Sequence, residues 1–307
     1  MRASSPSEAP ISHAKAADGP FVSVGLPVYN GEQFVRGAID SLLTQSYTNL
    51  ELIISDNAST DGTAAIAGEY ATRDPRVRYF RQPRNIGAPS NWNFVVARAR
   101  GKYFKWASAN DYCDTMGIAA CVEKLESDPR VVLCYGTTCL VDEMTGVVLP
   151  YDGDFSITEE QPSVRLSHLL AQMKLNNAIS GLIRMEVLRR TGLIRPYTSG
   201  DLVLMAELAM AGGFVQLPNS YLYRRIGETT LSCQLTDTEL RQFLDPRATS
   251  GVSWDRLRMN IGYIASVLRA SISLGEKLRA LTLVAHGAYW DISTVVMHSR
   301  HDSGIRP

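Results

Sequence analysis

No stretch of the chain approaches the ~20 consecutive apolar residues of a membrane-spanning helix. The opening MRASSPSEAPISHAKAADGP has no apolar core of a secretory signal. A charge bias is missing too. Lys plus Arg and Asp plus Glu both total 31, so there is no basic excess to neutralise phosphates, and nucleic acid is not an expected partner. Cysteine is sparse: five, at 113, 121, 134, 139 and 233, odd in number and without a CxxC pair. That pattern fits buried free thiols in a reducing compartment, and the expected location is the cytoplasm. The histidines form no HExxH, and His298 and His301 fall in a terminal stretch where solvated side chains are the ordinary case. Gly25 and Gly31 have the wrong spacing for GxGxxG, and neither GxxxxGK[ST] nor GxSxG occurs. Dinucleotide-binding, P-loop and α/β-hydrolase readings therefore lose support.

What is present is ordinary globular composition, 45% hydrophobic and 20% charged, in a chain long enough for a sizeable core. Residues 1–20, rich in Ser, Ala and Pro without periodicity, read as a disordered tail. From Phe21 short apolar runs alternate with helical patterns. FVSVGLP, LELIIS, VRYFR and KYFKWAS read as strands; EQFVRGAIDSLLTQ, DGTAAIAGEYATR and APSNWNFVVARAR read as helices. Such alternation predicts an α/β fold with a mostly parallel sheet and helices on both faces. Ligands of such sheets bind beyond the carboxyl ends of the strands, which selects the loops PVYNG, DNASTDG, RQPRNIG and ANDYC.

Further on, MGIAACVEKLESDP predicts a helix, RVVLCYGT a strand, DLVLMAELAMAGG a helix stopped by glycine, and SYLYRRIG the close of the sheet region. Residues 140–176 are turn-rich and unassigned. After Trp254 two amphipathic helices break near Gly275. The division expected is a tail (1–20), an α/β domain (21–234) and a C-terminal helical extension (235–307). For the last helices, plain packing is the ordinary reading; pairing in a homodimer and contact with a membrane surface are the alternatives.

In LIISDNASTDGT an apolar strand delivers Asp56 and Asn57 to the sheet edge. Helix capping explains Ser59 to Asp61 but does not require Asp56, which is placed to accept the imide N–H of a uracil or thymine ring. Taken together, VSVGLPVYNGEQFVRGAIDSLLTQSYTNLELIISDNASTDGT and NIGAPSNWNFVVARARGKYFKWASANDYC resemble the bacterial glycosyltransferase family 2, whose fold is GT-A. The resemblance is specific over 21–113 and looser over 114–226. It implies that Pro27, Tyr29, Asn30 and Glu32 border a nucleotide, that Asp56 reads its base, and that Arg84, Asn85 and Gly87 approach it, with Asn93 on the following helix.

The acidic motif D-x-D-D that the resemblance leads one to expect after the fourth strand falls on Ser108, Ala109, Asn110 and Asp111, a degenerate form. Asp111 remains able to hold Mg²⁺ or Mn²⁺, because such a cation takes one or two protein carboxylates and completes its shell with phosphate oxygens and water. Asn110 is assigned to the ribose or a metal-bound water. An inverting sugar transfer also needs a base for the acceptor hydroxyl. The candidate is Asp201, which matches the second position of the family's Glu-Asp pair, Gly200 replacing the first; an ordinary helix cap is the alternative. Glu207 is a weaker substitute that a solvated helix face would explain. Arg224 and Arg225 are assigned to the leaving diphosphate, although strand alternation predicts that only one of them faces a given side.

The implied activity is transfer from a UDP- or dTDP-sugar to an acceptor hydroxyl. A nucleotide-sugar binding protein without turnover is the rival, motivated by Ser108 and Asn110. A sugar nucleotidylyltransferase ranks below both, since no Gly-rich basic loop follows the first strand. Acceptor contacts are expected from 140–176 and the C-terminal helices.

Overall fold

A central strand of a parallel sheet is covered on both faces and reads as a continuous apolar run. VSVGLPV and LELIISD are such runs: β1 (Val22–Val28) and β2 (Leu50–Asp56) are buried at every residue. The computed structural model describes residues 19–227, 236–246 and 254–286. The expected tail therefore lies outside the described residues except for Gly19 and Pro20, whose carbonyls accept from Asn49 and Tyr47. Cys233, His298 and His301 also lie outside.

β1 and β2 are joined by β3 (Val77–Arg81) and β4 (Tyr103–Trp106), all parallel, in the order β3-β2-β1-β4. Helices α1 (Val35–Leu43), α2 (Thr63–Arg73) and α3 (Ala88–Arg98) make the crossovers. Register aligns the strand ends, Val28 with Asp56 and Asp56 with Arg81, while Gly25 pairs Trp106. The four loops expected to bind ligand thus leave the sheet along one edge.

The second half is mixed. β5 (Tyr112–Cys113), α4 (Gly117–Ser127), β6 (Val131–Asp142), β7 (Val148–Pro150), α5 (Pro162–Gln172), a 3-10 turn (Ala178–Ser180), β8 (Leu182–Arg184), α6 (Met185–Leu188), α7 (Gly200–Ala211) and β9 (Gly213–Ile226) follow in order. β8 runs antiparallel between β4 and β6, while β9 lies parallel to β6. The β6–β9 register slips between Gly136–Leu217 and Thr137–Tyr221. Pro218 cannot donate to the ladder at that point. Beyond the slip β9 continues alongside β5, and this carries Arg224 and Arg225 back to the ligand edge.

One face of the sheet packs on α1, α2 and α4, the other on α3, α5, α7 and the C-terminal helices. Those helices span Asp255–Arg269 and 274–286, broken at 270–273 just before Gly275. A further helix, Asp237–Leu244, was not expected; its signal was legible as a capping box, Thr236 and Glu239 bonding reciprocally. No helix among the described residues is long and apolar enough to cross a membrane.

Candidate active site

The aligned strand ends leave a slot of about 130 Å³ lined by Pro27, Tyr29, Asn57, Asn85, Trp92 and Asn110, with Phe243 of the 237–244 helix on its rim. It continues into a cavity of about 530 Å³ that shares Ala88, Trp92, Ser108, Asn110 and Phe243 with the slot, making one cleft. Asp111, Lys174, Asn176, Asn177, Arg195, Tyr197, Asp201, Arg224 and Arg225 line this larger part. The volume suits a sugar-sized ligand with a nucleotide tail.

Several sequence-assigned residues lie elsewhere. Asn30, at φ 49, accepts from the Thr60 amide at 2.9 Å and donates its own N–H to Ser59. Glu32 accepts from the Gly62 amide at 2.8 Å, at the start of α2. Both side chains lock the β1 loop to the β2 loop. Asp56 is fully buried, with Oδ1 accepting from the Ser59 amide at 2.8 Å and Oδ2 from the Tyr79 hydroxyl at 3.1 Å; Arg81 Nε stands 3.7 Å away. Burial and the Asp56 charge push Tyr79 up to about 12, so it stays a donor. Each carboxylate oxygen has two lone pairs, so the two bonds leave one acceptor site open on each oxygen of Asp56. Arg84 is exposed and outside the cleft lining. Asn85 lines the slot and accepts from Asn57 Nδ2 and the Gly87 amide, each at 2.9 Å. Gly87, at φ 83, faces the Leu244 carbonyl, which a Cβ would approach to 2.6 Å. Asn93 is committed to the Ile194 backbone, donating at 2.8 Å and accepting at 3.1 Å.

Asp111 reaches the cleft. Its Oδ1 accepts from the Arg225 amide at 3.1 Å, and burial pushes its carboxyl above the ordinary range against the opposing pull of that amide and of the Arg224 charge. Arg224 donates to Asn177 Oδ1 at 2.7 Å. The Arg225 guanidinium lies over Phe34 and Tyr112, 4.8 and 5.3 Å from the ring centroids, with its Nε buried and unpartnered. Both arginines line the cleft, and alternation shows in their guanidinium contacts, Arg224 on the cleft residue Asn177 and Arg225 on Phe34 and Tyr112 outside the lining.

The N-cap of α7 is Ser199, left-handed at φ 62, and no side chain caps the helix. Asp201 sits in the first turn, where the helix dipole favours an anion, and accepts from Asn176 Nδ2 at 2.8 Å. Its carboxylate is therefore held at the cleft by a side chain and caps no backbone amide. Glu207 is neither solvated nor in the cleft. It accepts from the Gly192 amide and Arg269 at 2.5 Å each and from Ser266 at 2.7 Å, tying α7 to the 255–269 helix.

Sequence reasoning missed Trp92, Lys174, Asn176, Asn177 and Phe243, and gave Asn57 a place at the sheet edge but no role. Asn57 was legible beside Asp56; the pair Asn176–Asn177 lay in unassigned sequence, and only its juxtaposition with Asp201 and Arg224 gives it meaning.

The crystal structures of S. aureus TarS in complex with UDP and with UDP-GlcNAc superpose at a TM-score of 0.61, with 15% and 16% identity, covering 85% of this chain and 69% and 70% of theirs. The fold is GT-A. Residues 23–175 match the family described as Glycosyl transferase family 2, and the chain belongs to that family. Among its relatives, chondroitin synthase of Escherichia coli is 32% identical over 123 residues, 40% of this chain and 18% of the relative. The uncharacterized glycosyltransferase EpsJ of Bacillus subtilis is 29% identical over 176 residues, 57% of this chain and 51% of the relative. The chain thus spans about half or less of the length of these relatives.

Proposed function

We propose that the chain transfers a sugar from a UDP- or dTDP-sugar to an acceptor hydroxyl with inversion. One observation carries this: Asp201 lines the same cavity as Asp111, Arg224 and Arg225, and that cavity is continuous with the slot at Tyr29 and Asn85. A neighbour in fold supports it, since TarS is seen in complex with UDP and with UDP-GlcNAc. The base of the nucleotide occupies the slot, with Asp56 beneath the strand end as acceptor for its imide N–H. Asp201 takes the proton of the acceptor hydroxyl as that oxygen attacks the anomeric carbon. Arg224 and Arg225 stabilise the charge growing on the departing diphosphate. Leu240 and Phe243 present apolar surface to the cleft and limit water at the reacting carbon.

The residues fit a divalent cation that arrives with the donor. Among the described residues no three His, Cys, Asp or Glu gather, yet Asp111 has one oxygen free of the Arg225 amide and stands beside Asn110 and Ser108. Asp111 and Asn110 would hold Mg²⁺ or Mn²⁺, which supplies Lewis-acid neutralisation of the diphosphate.

Transfer assays with UDP- and dTDP-sugars, with and without Mn²⁺, test the reading. Donor binding without hydrolysis or transfer would favour the rival, a nucleotide-sugar binding protein, which the neutral Ser108 and Asn110 support. We place the reaction in the cytoplasm, in keeping with the free thiols of Cys113, Cys121, Cys134 and Cys139. A second copy of the chain is the proposed partner of the exposed stripe Trp254, Leu257, Ile261, Ile264 and Leu268. Its alternating spacing of three and four matches a two-helix seam, whereas a helix lying on lipid exposes a broad apolar face. Light scattering that returns a monomer would remove this partner.

A further inference from the structure

We infer that the acceptor is anionic, a sugar or polyol bearing a phosphate or carboxylate close to the attacking hydroxyl. The inference rests on the transferase reading and names its second substrate class.

The larger cavity gathers four cations, Lys174, Arg195, Arg224 and Arg225, against two carboxylates, Asp111 and Asp201. The whole chain has a formal net charge of +0, so this excess is local. None of the four forms an ion pair among the described residues. Arg224 and Arg225, beside Asp111 on β9, are accounted for by the donor diphosphate. Lys174 and Arg195 are not. Lys174 precedes the Ala178–Ser180 turn and Arg195 precedes α7, so the two segments that carry them meet at Asp201. The Arg195 guanidinium lies folded over Gly192, where a Cβ would come within 1.8 Å of Nη2, and it makes no ion pair there among the described residues.

Asn176 supplies the independent observation. Its Nδ2 donates to Asp201, which fixes the orientation of the amide, and its Oδ1 is then a buried acceptor with no donor. Such an atom calls for a ligand N–H or O–H. A hydroxyl on Asn176 Oδ1, next to the proposed base, and an anion between Lys174 and Arg195 together describe one ligand. The diphosphate cannot serve both pairs of cations, because its phosphorus atoms must lie on the face of the anomeric carbon opposite the acceptor.

The experiment uses the full chain saturated with UDP and Mn²⁺, so that Arg224 and Arg225 are occupied, and titrates glucose 6-phosphate, glucuronate, inorganic phosphate and uncharged glucose by calorimetry. The two anionic sugars are expected to bind about tenfold or more tighter than glucose, as one charge-assisted contact allows, and to weaken with added salt. Inorganic phosphate binding as tightly as the anionic sugars would overturn the joint hydroxyl-and-anion site. The double variant Lys174→Gln, Arg195→Gln should lose the preference while keeping UDP affinity. Lys174→Glu should reverse it. Asn176→Ala should weaken glucose and both anionic sugars by the same factor. Glucose binding as tightly as the charged sugars, or a preference that survives in the double variant, overturns the inference. Failure of the transferase reading looks different: UDP binds and anionic sugars are preferred, yet no donor is turned over.

Discussion

Asp201 and Glu207 lie six residues apart on one helix, yet they answer to different tests. Asp201→Asn removes the proposed proton acceptor, and turnover should fall about 10²- to 10⁴-fold while UDP affinity holds, as for a group acting in the transition state. Near-native turnover with the true acceptor would reduce Asp201 to an anion at a helix start. Glu207→Ala should instead destabilise by about 3 kcal/mol, because the Gly192 amide and Ser266 lose a buried partner and Arg269 its counter-charge. The melting temperature reports that loss; unchanged stability would contradict the joint described here. Asp111 makes a third kind of statement. If it shares a cation with the diphosphate, Mn²⁺ and donor must raise each other's affinity by the same factor, and Asp111→Ala should abolish the coupling. Equal donor affinity with and without Mn²⁺ in the unaltered chain would make Asp111 a polar turn residue.

At the scale of elements, two docking joints decide how the cleft is closed. The 237–244 helix lies on Gly87, whose positive φ and contact with the Leu244 carbonyl exclude a side chain. Gly87→Ala should cost about 1–3 kcal/mol in backbone strain and displace Leu240 and Phe243 from the cleft. Donor hydrolysis by water should rise as sugar transfer falls; an unchanged ratio of the two would mean that this helix does not shield the reaction. The 274–286 helix is pinned by Glu276, whose Oε2 accepts the Ser163 amide at 2.7 Å in the first turn of α5, while Oε1 pairs with Arg279. Those bonds hold the Glu276 carboxyl down at about 2 from an ordinary 4.5. A depressed folded-state value means that the contribution is complete above pH 4.5 and is lost as the pH falls toward 2. Glu276→Gln should therefore melt below the unaltered chain at pH 6, and the gap should close on acidification. A gap constant with pH would show that shape, and not charge, holds the joint.

For the whole molecule, the sheet divides two cores, and the C-terminal helices belong to one of them. Tyr263, Val267, Ala280 and Val284 are buried with Leu204, Leu208 and Phe214 in that core. We expect a chain ending at residue 234 to lose cooperative unfolding in urea, since removing those helices bares α7; a sharp transition from that shorter chain would make 235–307 a detachable extension.

The parallel half of the fold was legible because every strand there is a local apolar run ending in turn residues, and such runs carry their own register. Tyr29, Asn85, Asn110 and Asp111 were legible for the same reason: they sit where a strand stops. Residues 140–176 were opaque, since α5 begins at a proline after a stretch of turns; the full length of β9, Gly213–Ile226, was hidden for another reason, its own bulge at Pro218. The sequence by itself determined the alternation of elements, the edge that binds and the residue types brought to it. Tertiary structure alone decided which of those side chains are free to bind. Glu32, Asn93 and Glu207 are spent on backbone amides and helix joints, while Asn176 and Lys174 reach the cavity of Asp201 and Arg195 from a distant segment. A hydrogen-bonding group has a fixed number of partners, and which partner it takes is set by packing across the chain, information that no local pattern contains.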